Sequence, residues 1–378
     1  MKQGWKVEKL GNVVTIDKIP NRKKNIPYVG LEHIESNTGK FIGSLEPQSV
    51  KSTTFNFSDK HVLYGRLRPY LNKVLLPDFE GHCSSEVFPL KVSDKVDRKF
   101  LFHWLLLDET ASKINATSTG ARMPRANMNH VLNFTISIPP IPEQERIVAV
   151  LDESFASIAQ AKANAERNLV NARELFESFA GIAFENPGDW EVKSLGDVCS
   201  LYQGIAINAK TKHAIVEKSE LPLLRIKDLR NNTVEQYIDP NNYPKNALVN
   251  ESDLIYTRTG QIGLVFTGKR GVLHNNSFKI VPKSILSREY LFYWLQNPIF
   301  KTKIISLASR AAQPDITHEL FKQQMISIPP LAEQRAIVGR LEALSAETGR
   351  LEAVYRQKVA ALEELKKSVL QRAFEGEI

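Results

Sequence analysis

The sequence predicts an α+β protein: two globular α/β units separated by a pair of long antiparallel coiled-coil helices, arranged as a pseudo-twofold internal repeat. Three observations predict it. Ile138-Pro139-Pro140 recurs as Ile328-Pro329-Pro330, Glu143-Gln144 as Glu333-Gln334, and Ala183-Phe184-Glu185 as Ala373-Phe374-Glu375, every pair 190 positions apart. Each Pro-Pro pair is followed by more than forty residues in which apolar side chains recur every seven. The segments before them alternate short apolar runs with turn residues, the pattern of strands rather than long helices.

In chain order, Trp5 to Val13 is echoed by Trp190 to Val198 at an offset of 185, and Phe100 to Leu105 by Tyr290 to Leu295 at 190. The offset therefore changes inside the globular segments and stays constant along the helices. Internal repetition of this kind has to be settled before any local reading. The expected boundaries are 1–142 for the first globular unit, 143–186 for its helix, 187–332 for the second unit and 333–378 for the second helix. Helices are expected around Trp104 and Trp294, both as core residues. Short strands are expected at Phe134 to Ile138 and Met325 to Ile328. The alternation Leu63-Tyr64-Gly65-Arg66-Leu67-Arg68 predicts a strand with Tyr64, Arg66 and Arg68 on one face, matched by Tyr256 and Arg258.

Each long helix has a start signal. Pro142 suits the first helical position, where its missing N–H is no loss, and Glu143 complements the helix dipole. The apolar column is Leu151, Ile158, Ala165, Ala172 and Phe179 in the first helix. In the second it is Leu341, Thr348, Tyr355, Leu362 and Val369. Helices of about 42 residues are ~63 Å long at 1.5 Å per residue, and neither can bury such a stripe alone, so the two are expected to pair. Antiparallel pairing brings Phe374 to Ile378 back beside the start of the chain. Lys162 and Thr348 interrupt the stripe.

The chain has 378 residues, enough for two domains, and a net charge of +8, which favours a polyanionic partner. Cys83 and Cys199 stand alone, so neither a disulfide framework nor a cysteine zinc site is expected, and a reducing compartment is. No signal peptide or membrane-spanning run is read, and the expected location is cytoplasmic. Catalytic signatures are missing. Gly263 to Lys269 mimics a phosphate-binding loop, but Arg270 stands where a Ser or Thr hydroxyl must meet magnesium.

Basic and amide side chains concentrate in the globular units instead. The candidates for contact with DNA are Arg22, Lys23, Lys24, Arg66, Arg68, Asn72, Lys73, Arg122 and Arg125 in the first unit. In the second they are Gln203, Lys210, Lys212, Arg225, Lys227, Arg258, Lys269, Arg270, Asn275, Asn276 and Arg310. These residue types supply cations for phosphates and paired donors and acceptors for base edges.

The twofold repeat, the doubled Ile-Pro-Pro-x-x-Glu-Gln and the helices that follow resemble the specificity subunit of type I restriction-modification systems over essentially the whole chain. The resemblance implies two target-recognition domains that read the halves of a bipartite, asymmetric double-stranded DNA target. It implies helices that fix the unread gap and dock two modification (methyltransferase) subunits, with restriction subunits joining through the complex. Pro140, Glu143, Gln144, Pro330, Glu333 and Gln334 then mark the helix starts and a docking motif. The chain itself is expected to lack catalysis, metal and cofactor, with S-adenosylmethionine, ATP and Mg on the partner subunits. A coiled-coil protein adaptor, or the specificity component of a fused restriction and methylation enzyme, are the alternatives.

Overall fold

The computed structural model describes residues 4–23, 25–308 and 314–378. The chain divides into two compact units, residues 1–166 with 357–378, and residues 167–356, so that each unit holds one globular head and a part of each long helix.

In the first unit the chain enters through Lys6–Lys9, antiparallel to Thr135–Ile138 just before the Pro-Pro pair. A four-stranded sheet has the order Val14–Ile16, Val87–Val92, His61–Gly65, Val74–Leu75. A three-stranded sheet places Gly81–Ser84 between Tyr28–Val29, parallel, and Thr54–Phe57, antiparallel. Two helices, Arg98–Leu106 and Asp108–Ala116, follow. Asp97 starts the first of them by accepting from the Phe100 N–H at 2.9 Å, which satisfies one of the donors a helix start leaves unpaired.

The second unit repeats this plan. Glu191–Ser194 pairs with Met325–Ile328. Its four-stranded sheet runs Cys199–Gln203, Ser277–Pro282, Leu254–Thr257, Val265–Phe266, and its three-stranded sheet Leu223–Leu224, Gly271–Leu273, Leu248–Val249. Ser287 caps the helix Arg288–Gln296 through the Tyr290 N–H. An extra ribbon, Ile215–Val216 with Tyr237–Ile238, accounts for part of the changed spacing.

The strand around Tyr64 differs from the expectation. It ends at Gly65, and all five of its residues are buried. Val62 and Tyr64 face the core shared with Trp104, whereas Leu63 faces a second core with Val29 and Cys83. Leu254 and Tyr256 face the core shared with Trp294, and Ile255 a smaller one with Leu273. A central strand packed on both sides has no solvent face, so Tyr64 and Tyr256 belong to the interior and do not share a polar face with the arginines.

The long helices are Ile141–Ile182 and Leu331–Glu375. Pro142 is thus the second helical residue. Within each unit their segments run antiparallel. In the first unit Arg146 donates to the Ile378 carbonyl at 2.6 Å, and Lys162, farther along, pairs with Glu363, earlier in the other helix. In the second, Arg173 meets Glu352 at 3.3 Å, and Ala180 and Phe184 share a core with Ile337 and Leu341. Leu151, Ile158, Ala165, Ala172 and Leu341 are buried, whereas Phe179, Tyr355, Leu362 and Val369 are half-buried. Both interruptions of the stripe are satisfied: Lys162 reaches sideways to its carboxylate, and buried Thr348 returns its hydroxyl to the Leu344 carbonyl at 2.9 Å.

Gln144 and Gln334 are each 0% exposed. The Gln144 Oε1 accepts from the Asp97 N–H at 2.8 Å, and its Nε2 donates to the carbonyls of Lys95 at 2.9 Å and Pro139 at 2.8 Å. Gln334 repeats this with the Ser287 N–H and the carbonyls of Ile285 and Pro329. Both are interior clamps fixing the helix to its head, which corrects their assignment as docking residues. Pro140, Pro330 and Glu333 are exposed, and Glu143 pairs with Arg146 at 2.7 Å.

Among the described residues no helix is long and apolar enough to cross a membrane, and no group of three or more His, Cys, Asp or Glu is placed to hold a metal ion. Both cysteines are buried and free, and burial pushes each thiol up to about 12, away from nucleophilic use.

Candidate nucleic-acid interface

In each unit three segments converge where the central strand ends: the strand's continuation, the hairpin turn before the neighbouring strand, and the loop after the helix pair. In the first unit the Arg66 N–H donates to the Glu86 carbonyl at 2.9 Å, and the Ala126 N–H to the Arg66 carbonyl at 2.9 Å. In the second the Arg258 N–H donates to Asn276 at 2.9 Å, and the Ile316 N–H to Arg258 at 3.0 Å. Single bridges, Leu67 with Arg125 and Thr259 with Asp315, complete the two frames. The same backbone arrangement therefore presents Arg66 in one unit and Arg258 in the other.

The side chains on this frame differ. Glu86 accepts from Arg66 Nε at 3.0 Å and from Arg125 Nε at 2.9 Å, so that one carboxylate holds two guanidiniums. Burial alone raises the Glu86 carboxyl, but the bonds and charges of Arg125 and Arg66 outweigh it and hold it below the usual carboxylate range. Arg66 and Lys18 both lie against the Phe88 ring, at 5.0 and 4.5 Å from its centroid. In the second unit Arg258 donates to Asp315 at 2.5 Å and to the Ile316 carbonyl at 3.2 Å.

Beside the first frame, Arg68 adopts φ 51°, a left-handed conformation, and its N–H donates to the Pro124 carbonyl at 2.7 Å. This knits the Arg68 turn to the loop carrying Arg122, and leaves Arg68, Tyr70, Arg122 and Met123 exposed. The structure thus brings Arg66, Arg68, Arg122 and Arg125 to one surface.

Other candidates are engaged elsewhere. Asn72 is buried and donates to the Leu105 carbonyl at 3.1 Å, so its side chain is structural and not a reader. Lys73 is half-buried and donates to the carbonyls of Leu31 at 2.6 Å and Ile34 at 2.9 Å. Arg225 is held by the buried carboxylate of Asp228 at 2.6 and 3.1 Å, and by Glu235 at 3.0 Å, which also takes Lys227 at 2.5 Å. Lys23 meets Glu80 at 2.7 Å, Lys269 meets Asn232 at 2.6 Å, and Gln203 reaches the Asn275 carbonyl at 3.4 Å. The Asn275 N–H donates to Ile205 at 2.9 Å. Arg22, Lys210, Lys212 and Arg270 are exposed. Lys24 and Arg310 lie outside the described residues.

Sequence reasoning missed Glu86 and Asp315, the acids that hold the arginines, because both read as ordinary surface carboxylates. A signal existed in the repeat itself: at the constant offset Arg125 aligns with Asp315 and Glu86 with the neutral Asn276, so the charge at both positions changes together.

The chain matches the model of the type I restriction modification DNA specificity domain twice, over residues 2–167 and 187–360. It is 27% identical over 191 residues to the type I restriction enzyme EcoDI specificity subunit of Escherichia coli, an alignment covering 50% of this chain and 43% of that one. A second relative, the EcoBI specificity subunit of the same organism, is 21% identical over 75% of this chain and 66% of its own length, so the chain spans roughly half to two thirds of these relatives. Among solved structures, one described as the structural basis underlying complex assembly and conformational transition of the type I R-M system aligns over 100% of this chain and 99% of its own, at 22% identity and a TM-score of 0.85. The HsdS subunit from Thermoanaerobacter tengcongensis aligns over 100% and 98%, at 20% identity and a TM-score of 0.68. Two family matches that together span most of the chain, each containing one arginine frame, place this protein in the type I restriction modification DNA specificity domain family.

Proposed function

We propose that this chain is the DNA sequence-recognition subunit of a type I restriction-modification complex, reading a bipartite, asymmetric duplex target with one head for each half. The observation that carries this reading is the frame around Arg66 and Arg258, built from the same backbone bonds but with different neighbouring side chains. A constant frame with variable lining suits two readers of unlike half-sites. Arginine suits the task because its planar fork matches a phosphate or the O6 and N7 acceptors of guanine. On this reading the chain is not itself catalytic. Methyl transfer with S-adenosylmethionine, and cleavage with ATP and Mg, belong to its partners in the cytoplasm.

The proposed seat for two modification subunits is the outward side of the long helices. Val170, Leu175, Ile182, Val354 and Leu365 are exposed there, Ile182 at 61%. Isolated exposed apolar residues are ordinary, but their recurrence on the two spacer helices supports a protein partner. Restriction subunits join through those partners.

The test is the salt dependence of binding by the full chain to duplex DNA. A chain that neutralises phosphates loses affinity linearly in log[salt], with a slope of about −0.9 for each phosphate contact. A slope corresponding to several contacts is expected. Duplex binding that is absent at low salt, with the methyltransferase partner still captured, supports the protein-adaptor reading instead.

A further inference from the structure

The acid sits on a different segment in the two units, and the second arginine has given way to it. In the first, the hairpin turn supplies Glu86 and the loop after the helices supplies Arg125, whose Nη2 lies 2.8 Å from Glu86. In the second, the hairpin position is Asn276, and the loop supplies Asp315 where the first unit has Arg125. Among the described residues the first frame therefore sets two guanidiniums against one carboxylate, the second one against one. The remaining donors are not equally committed. Among the described residues, the Arg66 guanidinium makes a single hydrogen bond, through Nε, and Arg125 adds to its Glu86 contacts one bond to the Met123 carbonyl at 3.2 Å. A guanidinium carries five N–H donors, so both retain donors on their outer edges. The side chains of Arg66 and Arg125 are 33% and 38% exposed, which leaves those edges open to a ligand.

We infer that Glu86 is a positioning residue for sequence reading by the first head: it pins Arg66 and Arg125 as a paired donor fork for phosphate oxygens or for the O6 and N7 edge of guanine, while Asp315 pins Arg258 in the second. This inference rests on the DNA-recognition reading above. It carries an unusual sign. Glu86 is a negative charge beside the surface offered to a polyanion, so removing it favours DNA of any sequence through the net charge. The same removal frees two long side chains to swing, and reading suffers because bidentate contacts require a fixed fork. A residue that only supports the fold has neither property: its loss weakens binding to all duplexes together.

The experiment is selection from a pool of random-sequence duplexes by the full chain, at two salt concentrations. The unmodified chain should enrich a motif with two half-sites. Glu86→Gln should bind the unselected pool as well or better, yet lose preference in one half-site by about tenfold, the scale of one bidentate contact. The other half-site should be untouched. Asp315→Asn should reverse the halves, and Arg125→Gln should damage the same half as Glu86→Gln. Preference lost at a single base pair identifies a guanine edge. Preference blurred across the half-site, with Arg125→Gln lowering the salt slope by about one, identifies phosphates. Glu86→Gln and Arg125→Gln chains that enrich the unmodified motif with full preference in both halves overturn the inference. So does a Glu86→Gln chain whose affinity falls equally for every duplex along with its melting temperature. An unmodified chain that enriches no motif overturns the DNA-recognition reading itself.

Discussion

At the scale of single residues, His103 shows how burial converts an ordinary side chain into a pH-sensitive one. It is packed at 5.6 Å from the Phe155 ring, with Asp152 at 3.5 Å from Nε2. Burial pushes the imidazole down to about 4, against the opposing pull of Asp152. The unfolded chain takes up this proton near the ordinary value of ~6.5, and the folded chain only near its lowered one. Stability from the neutral histidine is therefore complete above ~6.5 and falls as pH drops toward the lowered value, by on the order of 3 kcal/mol in all. Urea melts at pH 7.5 and 4.5 check this: His103→Gln should lose distinctly less stability between the two than the unmodified chain. Equal losses contradict a neutral buried imidazole. None of this was legible in the sequence, where His103 is one polar residue in an apolar helix. The arginines were more legible. Arg66 and Arg258 recur at matching sites, which marks them, whereas the tyrosines two residues earlier are interior because the strand is packed on both faces. Asn72 misled for a related reason, since its amide serves the Leu105 carbonyl inside the head.

At the scale of elements, the junction between head and helix is the most constrained feature. Gln144 and Gln334 each satisfy one N–H and two carbonyls in the interior. Truncation leaves those groups without partners, and an unsatisfied buried group costs about 1–3 kcal/mol. Gln144→Ala should destabilise the first unit by roughly 3 kcal/mol, and Gln334→Ala the second by a similar amount. Hydrogen exchange resolved by segment is the check. Faster exchange should appear at Arg98–Leu106 for the first variant and at Arg288–Gln296 for the second. Unchanged protection in both contradicts the clamp. The helix starts were readable from Pro-Pro and Glu-Gln, because proline punctuation and an early carboxylate are local signals. The clamp was not, because two of the three partners of each buried glutamine lie 47 or more positions earlier in the chain. Along the seven-residue columns Leu151, Ile158, Ala165, Ala172, Leu341 and Thr348 are buried and Phe179, Tyr355, Leu362 and Val369 half-buried, and Thr348 fits by bonding its hydroxyl back to its own helix.

At the scale of the whole molecule, repetition carries the functional argument. The twofold repeat and the long helices are legible in the sequence because a fixed offset and a fixed period are global patterns. The convergence of three distant segments on Arg66 is not, since it depends on sheet order and loop path. The proposal is that the chain reads two unlike half-sites, and the resemblance implies that helix length sets the unread gap between them. It is tested by mapping methylated adenines in cells carrying this chain and the proposed methyltransferase partner, with and without one extra heptad in each long helix. A heptad adds ~10.5 Å of helix while keeping the apolar stripe in phase. That corresponds to about three base pairs of duplex at 3.4 Å each. Two unchanged half-sites with a gap wider by about three base pairs are expected. Methylation at the original gap in the lengthened chain contradicts the proposal.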